Sequence, residues 1–151
     1  MKYTINNKAE TIALAKKFSK NILLPLIIGF SGDLGAGKTT FIRALIRTYC
    51  KNEKVKSPTF SLLEEYNFDG ISIMHVDLYR INKREENYLD YKDYFTKNSL
   101  LLVEWIENDK KLMLKSDIII NIQNKEILNK RRIIFTGKSD TGKIIISKIY
   151  K

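Results

Sequence analysis

One cysteine, one histidine and two prolines are spread through a chain of 151 residues, and each shortage closes a class of explanation. A lone Cys50 can form neither an internal disulfide nor a thiolate metal cluster, which excludes a disulfide-built fold and fits a reducing compartment. It is expected as a small packing residue. No Pro/Gly/Ser-rich stretch or internal repeat divides the sequence, so residues 1–151 are read as a single domain. No apolar run reaches the ~18 residues of a membrane span, and the opening MKYTINNKAE lacks the apolar core and cleavage site of a secretory signal. A cytoplasmic protein with no membrane partner is the expectation.

What the chain does have is positive charge, a formal net +10. The excess is uneven: residues 1–63 carry 11 basic and 3 acidic side chains, residues 64–109 carry 5 and 11, and residues 110–151 carry 11 and 3. A polyanion would be drawn to the outer thirds, and the acidic middle could hold a metal ion. Yet 21 of the 27 basic residues are lysine, and isoleucine and asparagine are abundant too, as an AT-rich coding sequence would produce. Much of the charge is therefore read as solvated surface, and no Arg-aromatic repeats point to single-stranded nucleic acid.

The apolar pattern predicts alternating strands and helices. A strand near Lys2–Ile5 precedes a helix capped by Asn6 or Asn7, with Ile12, Ala15 and Phe18 at helical spacing. The continuous apolar run Leu23–Phe30 reads as a strand buried on both faces, the candidate centre of a parallel sheet. Phe41, Ile42, Leu45, Ile46 and Tyr49 then mark one stripe of an amphipathic helix. Asp69-Gly70 between SLLEEYNF and ISIMHVDL is a hairpin signal. YRINKREENYLDYKDYF is helical or irregular, Ser99–Trp105 is a second inner strand, and DIIINIQ with RRIIFTG forms a second hairpin. KIIISKIY is strand or helix. Helices packed on a mixed sheet follow from this order.

Between the run ending at Phe30 and the helix lies Gly32-Asp33-Leu34-Gly35-Ala36-Gly37-Lys38-Thr39, a G-x-x-x-x-G-K-[ST] phosphate loop in the strand–loop–helix context its chemistry requires. The glycines let successive N–H groups line one concave face, and the helix beginning at Lys38 adds the positive end of its dipole. Gly32, Leu34, Gly35, Ala36, Gly37, Lys38, Thr39 and Thr40 are the candidate nucleotide contacts. Lys38 is placed to reach the β- and γ-phosphates and Thr39 to ligate Mg²⁺. In doubly wound sheets ligands gather at the carboxyl ends of the inner strands, where Asp77 and Glu104 fall. One is expected to hold Mg²⁺ and the other to orient or deprotonate the attacking group. Thr59, in Ser57-Pro58-Thr59-Phe60, is a further candidate for sensing the γ-phosphate or the metal. His75 is expected to be a hydrogen-bonded, partly buried side chain; Trp105 is read first as a core residue, with packing beside the nucleotide or a partner as the alternative, while Arg80 could pair with an acid or with phosphate.

Taken in order, GDLGAGKTTFIRAL, VKSPTFSLLEEY, HVDLYRI and LLVEW resemble the bacterial TsaE (YjeE) family, the small ATPase needed for threonylcarbamoyladenosine formation on tRNA. The resemblance covers roughly Leu26 to Trp105. It implies an α/β, P-loop NTPase-like three-layer fold with a mixed, mainly parallel central sheet, and ATP as the nucleotide, hydrolysed slowly. It also implies action in a complex with the threonylcarbamoyl transferase (TsaD-like) and its non-catalytic paralogue (TsaB-like), with tRNA contacted indirectly. In that family the residues matching Thr39 and Glu104 ligate Mg²⁺, the one matching Asp77 matters for activity, and one side of the base lies near Lys8–Thr11. The chain departs from the family's pattern at Ile106, where proline is usual, and in Glu85–Phe95, which lacks the usual glycine near Asp90.

The leading expectation is Mg²⁺-dependent ATP hydrolysis with Lys38, Asp77 and Glu104 as the catalytic set. Two alternatives compete. A small-molecule kinase would normally bring several lid arginines over the phosphates, and the chain has only six arginines. A nucleic-acid-binding module merely stabilised by ATP would keep a salt-sensitive RNA affinity after Lys38→Ala. A GTPase is disfavoured because no Asn-Lys-x-Asp segment occurs.

Overall fold

A computed structural model describes residues 1–80, 95–125 and 130–149. Seven strands form one sheet in the order β1-β7-β6-β2-β5-β4-β3, comprising β1 Lys2–Ile5, β2 Leu26–Ser31, β3 Leu63–Phe68, β4 Ile71–Asp77, β5 Ser99–Glu104, β6 Ile118–Lys125 and β7 Lys130–Gly137. The four inner strands β6, β2, β5 and β4 run parallel, and each flank is closed by antiparallel pairing, β3 on β4 at one edge and β6–β7–β1 at the other. The sheet is thus mixed, with its parallel part in the middle. β2 starts three residues later than its apolar run, after Pro25, which has no N–H to give a ladder.

Helices α1 Lys8–Ser19, α2 Lys38–Tyr49 and α4 Asp140–Ile149 cover one face. A single 3₁₀ turn at Ile106–Asn108 and the short helix α3 Lys110–Lys115 cover the other. Asn7 caps α1, its side chain accepting the Glu10 N–H at 2.9 Å. The C-terminal segment whose periodicity was ambiguous is the helix α4. Phe18, Phe41 and Phe135 join α1, α2 and β7 through ring centroids 5.5–6.0 Å apart. Cys50 is buried as a packing residue, and burial raises its thiol pKa. The Asp69-Gly70 hairpin forms as expected, both residues having positive φ, 48° and 75°. The charged stretch after Arg80, which includes Asp90, lies largely outside the described residues. No helix among the described residues is long and apolar enough to cross a membrane.

Strand alternation sets up the site. In β5, Leu100 and Leu102 point into the core beneath α1, α2 and α4, while Leu101 and Val103 point to the opposite side. By the same period Glu104 falls on the α2 face. In β4, Ile73 lies in that first core, so His75 and Asp77 share its face. β4 and β5 pair in parallel with His75 opposite Leu102 and Asp77 opposite Glu104, which puts both acids at one level at the carboxyl end of the sheet.

Candidate functional site

The loop leaving β2 is shaped by its glycines at two points. Gly32 has φ +126°, and a Cβ there would lie 2.0 Å from the Ile122 carbonyl oxygen of β6, so only glycine lets the chain turn this close to the neighbouring strand. Gly37 has φ +108° and serves as the N-cap of α2 with no side-chain cap bond. The first N–H groups of α2 have no partner within the helix and open onto the loop's concave side.

A cavity of about 360 Å³ lies over this loop, bounded by Leu34, Gly35, Gly37, Lys38, Thr39 and Thr40, with Ser57, Thr59, Asp77, Tyr79, Glu104 and Trp105 closing the other side. The expected contacts are therefore gathered in one place, with two exceptions. Ala36 is fully buried, its methyl packed into the core, and Gly32 lies against β6 outside the lining.

The Thr39 hydroxyl stands 2.9 Å from both carboxylate oxygens of Glu104. Glu104 is only 2% exposed, and its Oε1 is also 2.9 Å from His75 Nε2. An ionised carboxylate can only accept, so the His75 ring donates through Nε2. His75 is completely buried, and its Nδ1 has no partner. The expected hydrogen bond is present, through Nε2 only, whereas the expected partial burial is not: the inner face of β4 encloses the ring completely.

Asp77 has a different set of partners. Its Oδ2 accepts from Ser57 Oγ at 2.6 Å and Thr59 Oγ1 at 2.8 Å, and its Oδ1 accepts the Tyr79 N–H at 2.9 Å. Thr59 thus reaches the site through Asp77. Ser57, which the sequence reading left without a role, shares the same carboxylate; its Oγ lies 2.9 Å from Thr59 Oγ1, a contact with no proton left to bridge it while both hydroxyls donate to Asp77.

Lys38 is 4% exposed, and its Nζ donates to the carbonyls of Gly32 at 2.5 Å and Asp33 at 3.0 Å. Burial lowers its pKa, partly offset by the carboxylates of Glu104, Glu107, Asp77 and Asp33. The same Nζ lies 3.6 Å from the centroid of the Trp105 ring. Trp105 itself has φ 59°, a left-handed conformation uncommon for a large side chain. It packs on the core beneath α3 with one side and borders the cavity with the other, its ring 5.0 Å from that of Tyr79. Trp105 thus combines the two placements expected for it, on the core and beside the cavity, because the turn at this residue swings the ring outward. Among the described residues Arg80 is paired with no acid and does not line the cavity; its guanidinium lies 4.3 Å over the exposed Phe60 ring.

Chemically, the glycine loop offers N–H donors and a lysine to an anion, and the far wall offers hard oxygen ligands to a cation. No group of three His, Cys, Asp or Glu suited to a metal occurs among the described residues. A hydroxyl beside one carboxylate fits Mg²⁺, which usually takes one or two protein oxygens and completes its shell with water and phosphate.

Comparison with known proteins agrees with the architecture. The family model described as "Threonylcarbamoyl adenosine biosynthesis protein TsaE" matches residues 5–134. The chain is 37% identical over 150 residues to the tRNA threonylcarbamoyladenosine biosynthesis protein TsaE of Haemophilus influenzae, covering 95% of this chain and 93% of that protein. It is 41% identical over 140 residues to the protein of the same name from Rickettsia prowazekii, covering 91% and 95%. Among solved structures, Bacillus subtilis YdiB superposes with a TM-score of 0.80 at 26% identity, covering 99% of this chain and 93% of that one. With the phosphate loop, the two strand-end acids and the sheet order all in place, the chain belongs to the TsaE family of threonylcarbamoyladenosine biosynthesis proteins.

Proposed function

We propose that this chain is a Mg²⁺-dependent ATP hydrolase serving threonylcarbamoyladenosine synthesis on tRNA in the cytoplasm. The observation that carries the reading is the meeting of Thr39 and Glu104 at 2.9 Å, directly at the N-terminus of the helix that follows the glycine loop. The loop amides and Lys38 bind the phosphate chain, and Thr39 and Glu104 hold Mg²⁺. The metal's contribution when bound is to neutralise charge on the β- and γ-phosphate oxygens. Asp77, fixed by Ser57, Thr59 and the Tyr79 N–H, positions the attacking water.

His75 keeps the Glu104 carboxylate turned toward Thr39 by occupying Oε1. Lys38 exchanges the Gly32 and Asp33 carbonyls for phosphate oxygens when nucleotide enters, and both states satisfy its ammonium. Among the described residues no arginine lines the cavity beside Lys38, and slow turnover by the isolated chain, raised when a partner supplies a further cation, goes with that lining. The partners are the threonylcarbamoyl transferase and its non-catalytic paralogue, and hydrolysis drives a conformational step of that complex, with tRNA contacted indirectly.

Steady-state ATP hydrolysis measured with and without these two subunits tests the proposal. Weak turnover alone and faster turnover in the complex is the expected result. Fast hydrolysis by the isolated chain, or phosphate transfer to a nucleoside instead of water, would overturn it.

A further inference from the structure

Arg131 belongs to no motif and was not among the expected site residues. It lies on β7, opposite Ile5 of β1 and Asn124 of β6. Its guanidinium is folded over the loop backbone: a Cβ on Gly37 would be 3.6 Å from Nε, 3.9 Å from Cδ and 4.0 Å from Cζ. Nε is buried and has no hydrogen-bond partner among the described residues. No carboxylate among the described residues is paired with this side chain.

That placement is unfavourable on its own for two reasons. A buried N–H without an acceptor forfeits its bond to water. A cation at the N-terminus of α2 also faces the positive end of that helix's dipole. Both penalties disappear if an anion sits between the guanidinium and the loop, because the anion supplies the acceptor and the opposite charge together.

The sheet order says which part of a ligand reaches Arg131. The acids stand on β4 and β5, on one side of β2, whereas β6 and β7 stand on the other. A nucleoside triphosphate with its outer phosphates beside Thr39 and Glu104 runs inward across Gly37 toward β7. Gly37 has no side chain to block that path. We infer that Arg131 is a nucleotide-binding residue, donating from its guanidinium to the α-phosphate of the bound nucleotide. The inference rests on the ATP reading of the loop and extends it to the inner end of the ligand, which the sequence motifs do not reach.

The test is calorimetric titration of the full chain, in Mg²⁺, with ATP and with inorganic tripolyphosphate, alongside melting of the ligand-free protein. Arg131→Ala is expected to weaken both ligands by about tenfold or more, while the ligand-free melting temperature stays level or rises. Arg131→Lys is expected to recover only part of the loss, since an ammonium cannot replace the side-on N–H of a guanidinium. Unchanged ATP affinity in Arg131→Ala would overturn the inference and leave the ATP reading standing. A loss confined to ATP would overturn it in favour of a contact with the nucleoside. A lowered ligand-free melting temperature with normal binding would make Arg131 a structural residue. If the unsubstituted chain bound neither ligand, the ATP reading would fall first and this inference with it.

Discussion

Replacing Asp77 by asparagine separates two roles that the structure joins in one side chain. Its carboxylate accepts three hydrogen bonds, from Ser57 Oγ, Thr59 Oγ1 and the Tyr79 N–H. An amide has nearly the same shape, and both hydroxyls can rotate to accept from its NH₂ group, so the number of bonds can be kept. What is lost is their charge assistance, about 1 kcal/mol for each bond. Three such bonds give a destabilisation of roughly 2–3 kcal/mol, and at roughly 2–4 °C per kcal/mol for a chain of this length the melting temperature falls by about 5–10 °C. The chemical effect is larger, because a lost general base or water-positioning carboxylate costs about 10²–10⁴-fold in turnover. The assay is single-turnover hydrolysis in the assembled complex, with ATP affinity measured separately to show that binding stays within a few fold. Ser57→Ala combined with Thr59→Ala is the control, since it releases the same loop while keeping the carboxylate. The double variant is expected to lose less turnover than Asp77→Asn, because the carboxylate remains and keeps the Tyr79 N–H; if Asp77→Asn hydrolysed ATP normally, the assignment of Asp77 to the water would be refuted.

Gly32→Ala should abolish ATP binding and lower the melting temperature, because its new methyl would stand 2.0 Å from the Ile122 carbonyl oxygen; a calorimetric titration with normal affinity would contradict this. Lys38→Met should eliminate nucleotide binding without lowering ligand-free stability. Since burial holds the Lys38 pKa below 10.5, the unfolded chain binds the proton more tightly, and the folded protein gains stability from this group as pH rises through the lowered value. Melting curves across alkaline pH should lose that component in Lys38→Met. Asn7→Ala should cost about 1 kcal/mol by uncapping α1, seen as a lower denaturation midpoint with unchanged slope. Glu10, whose pKa is lowered from 4.5 chiefly by the Asn6 N–H, contributes stability above that value and loses it as pH falls through the lowered one. Glu10→Gln should therefore narrow the gap between melts at neutral and acid pH.

Most of the architecture was legible because it is written in local patterns. Two-sided apolar runs gave β2 and β5, a helical stripe gave α2, and Asp69-Gly70 gave the β3–β4 hairpin. The phosphate loop was legible for the same reason, since a backbone that must turn tightly over an anion needs glycines at fixed offsets. Asp77 and Glu104 could be placed at strand ends, but their partners could not be read. The His75–Glu104 and Ser57–Asp77 contacts depend on register between strands or between a loop and a strand, which the sequence does not state. α4 was ambiguous because Ile144, Ile145 and Ile146 fit either period, and packing on β7 chose the helix. For Trp105 the sequence offered a core place and a place by the ligand without choosing; one left-handed residue after β5 gives it both, turning an apolar ring into a wall of the cavity. Arg131 was invisible for a related reason, being brought to the loop from about 90 residues away only by the closing of β7 onto β6.

The account depends on Mg²⁺ and nucleotide meeting at Thr39 and Glu104. Its most direct test is the affinity for ATP with Mg²⁺ and with EDTA, measured by titration calorimetry on the unsubstituted chain and on Glu104→Gln. The account predicts tight binding that Mg²⁺ strengthens in the unsubstituted chain, and a Mg²⁺ effect that vanishes in Glu104→Gln. Binding without any Mg²⁺ dependence, or the same dependence in both proteins, would contradict it.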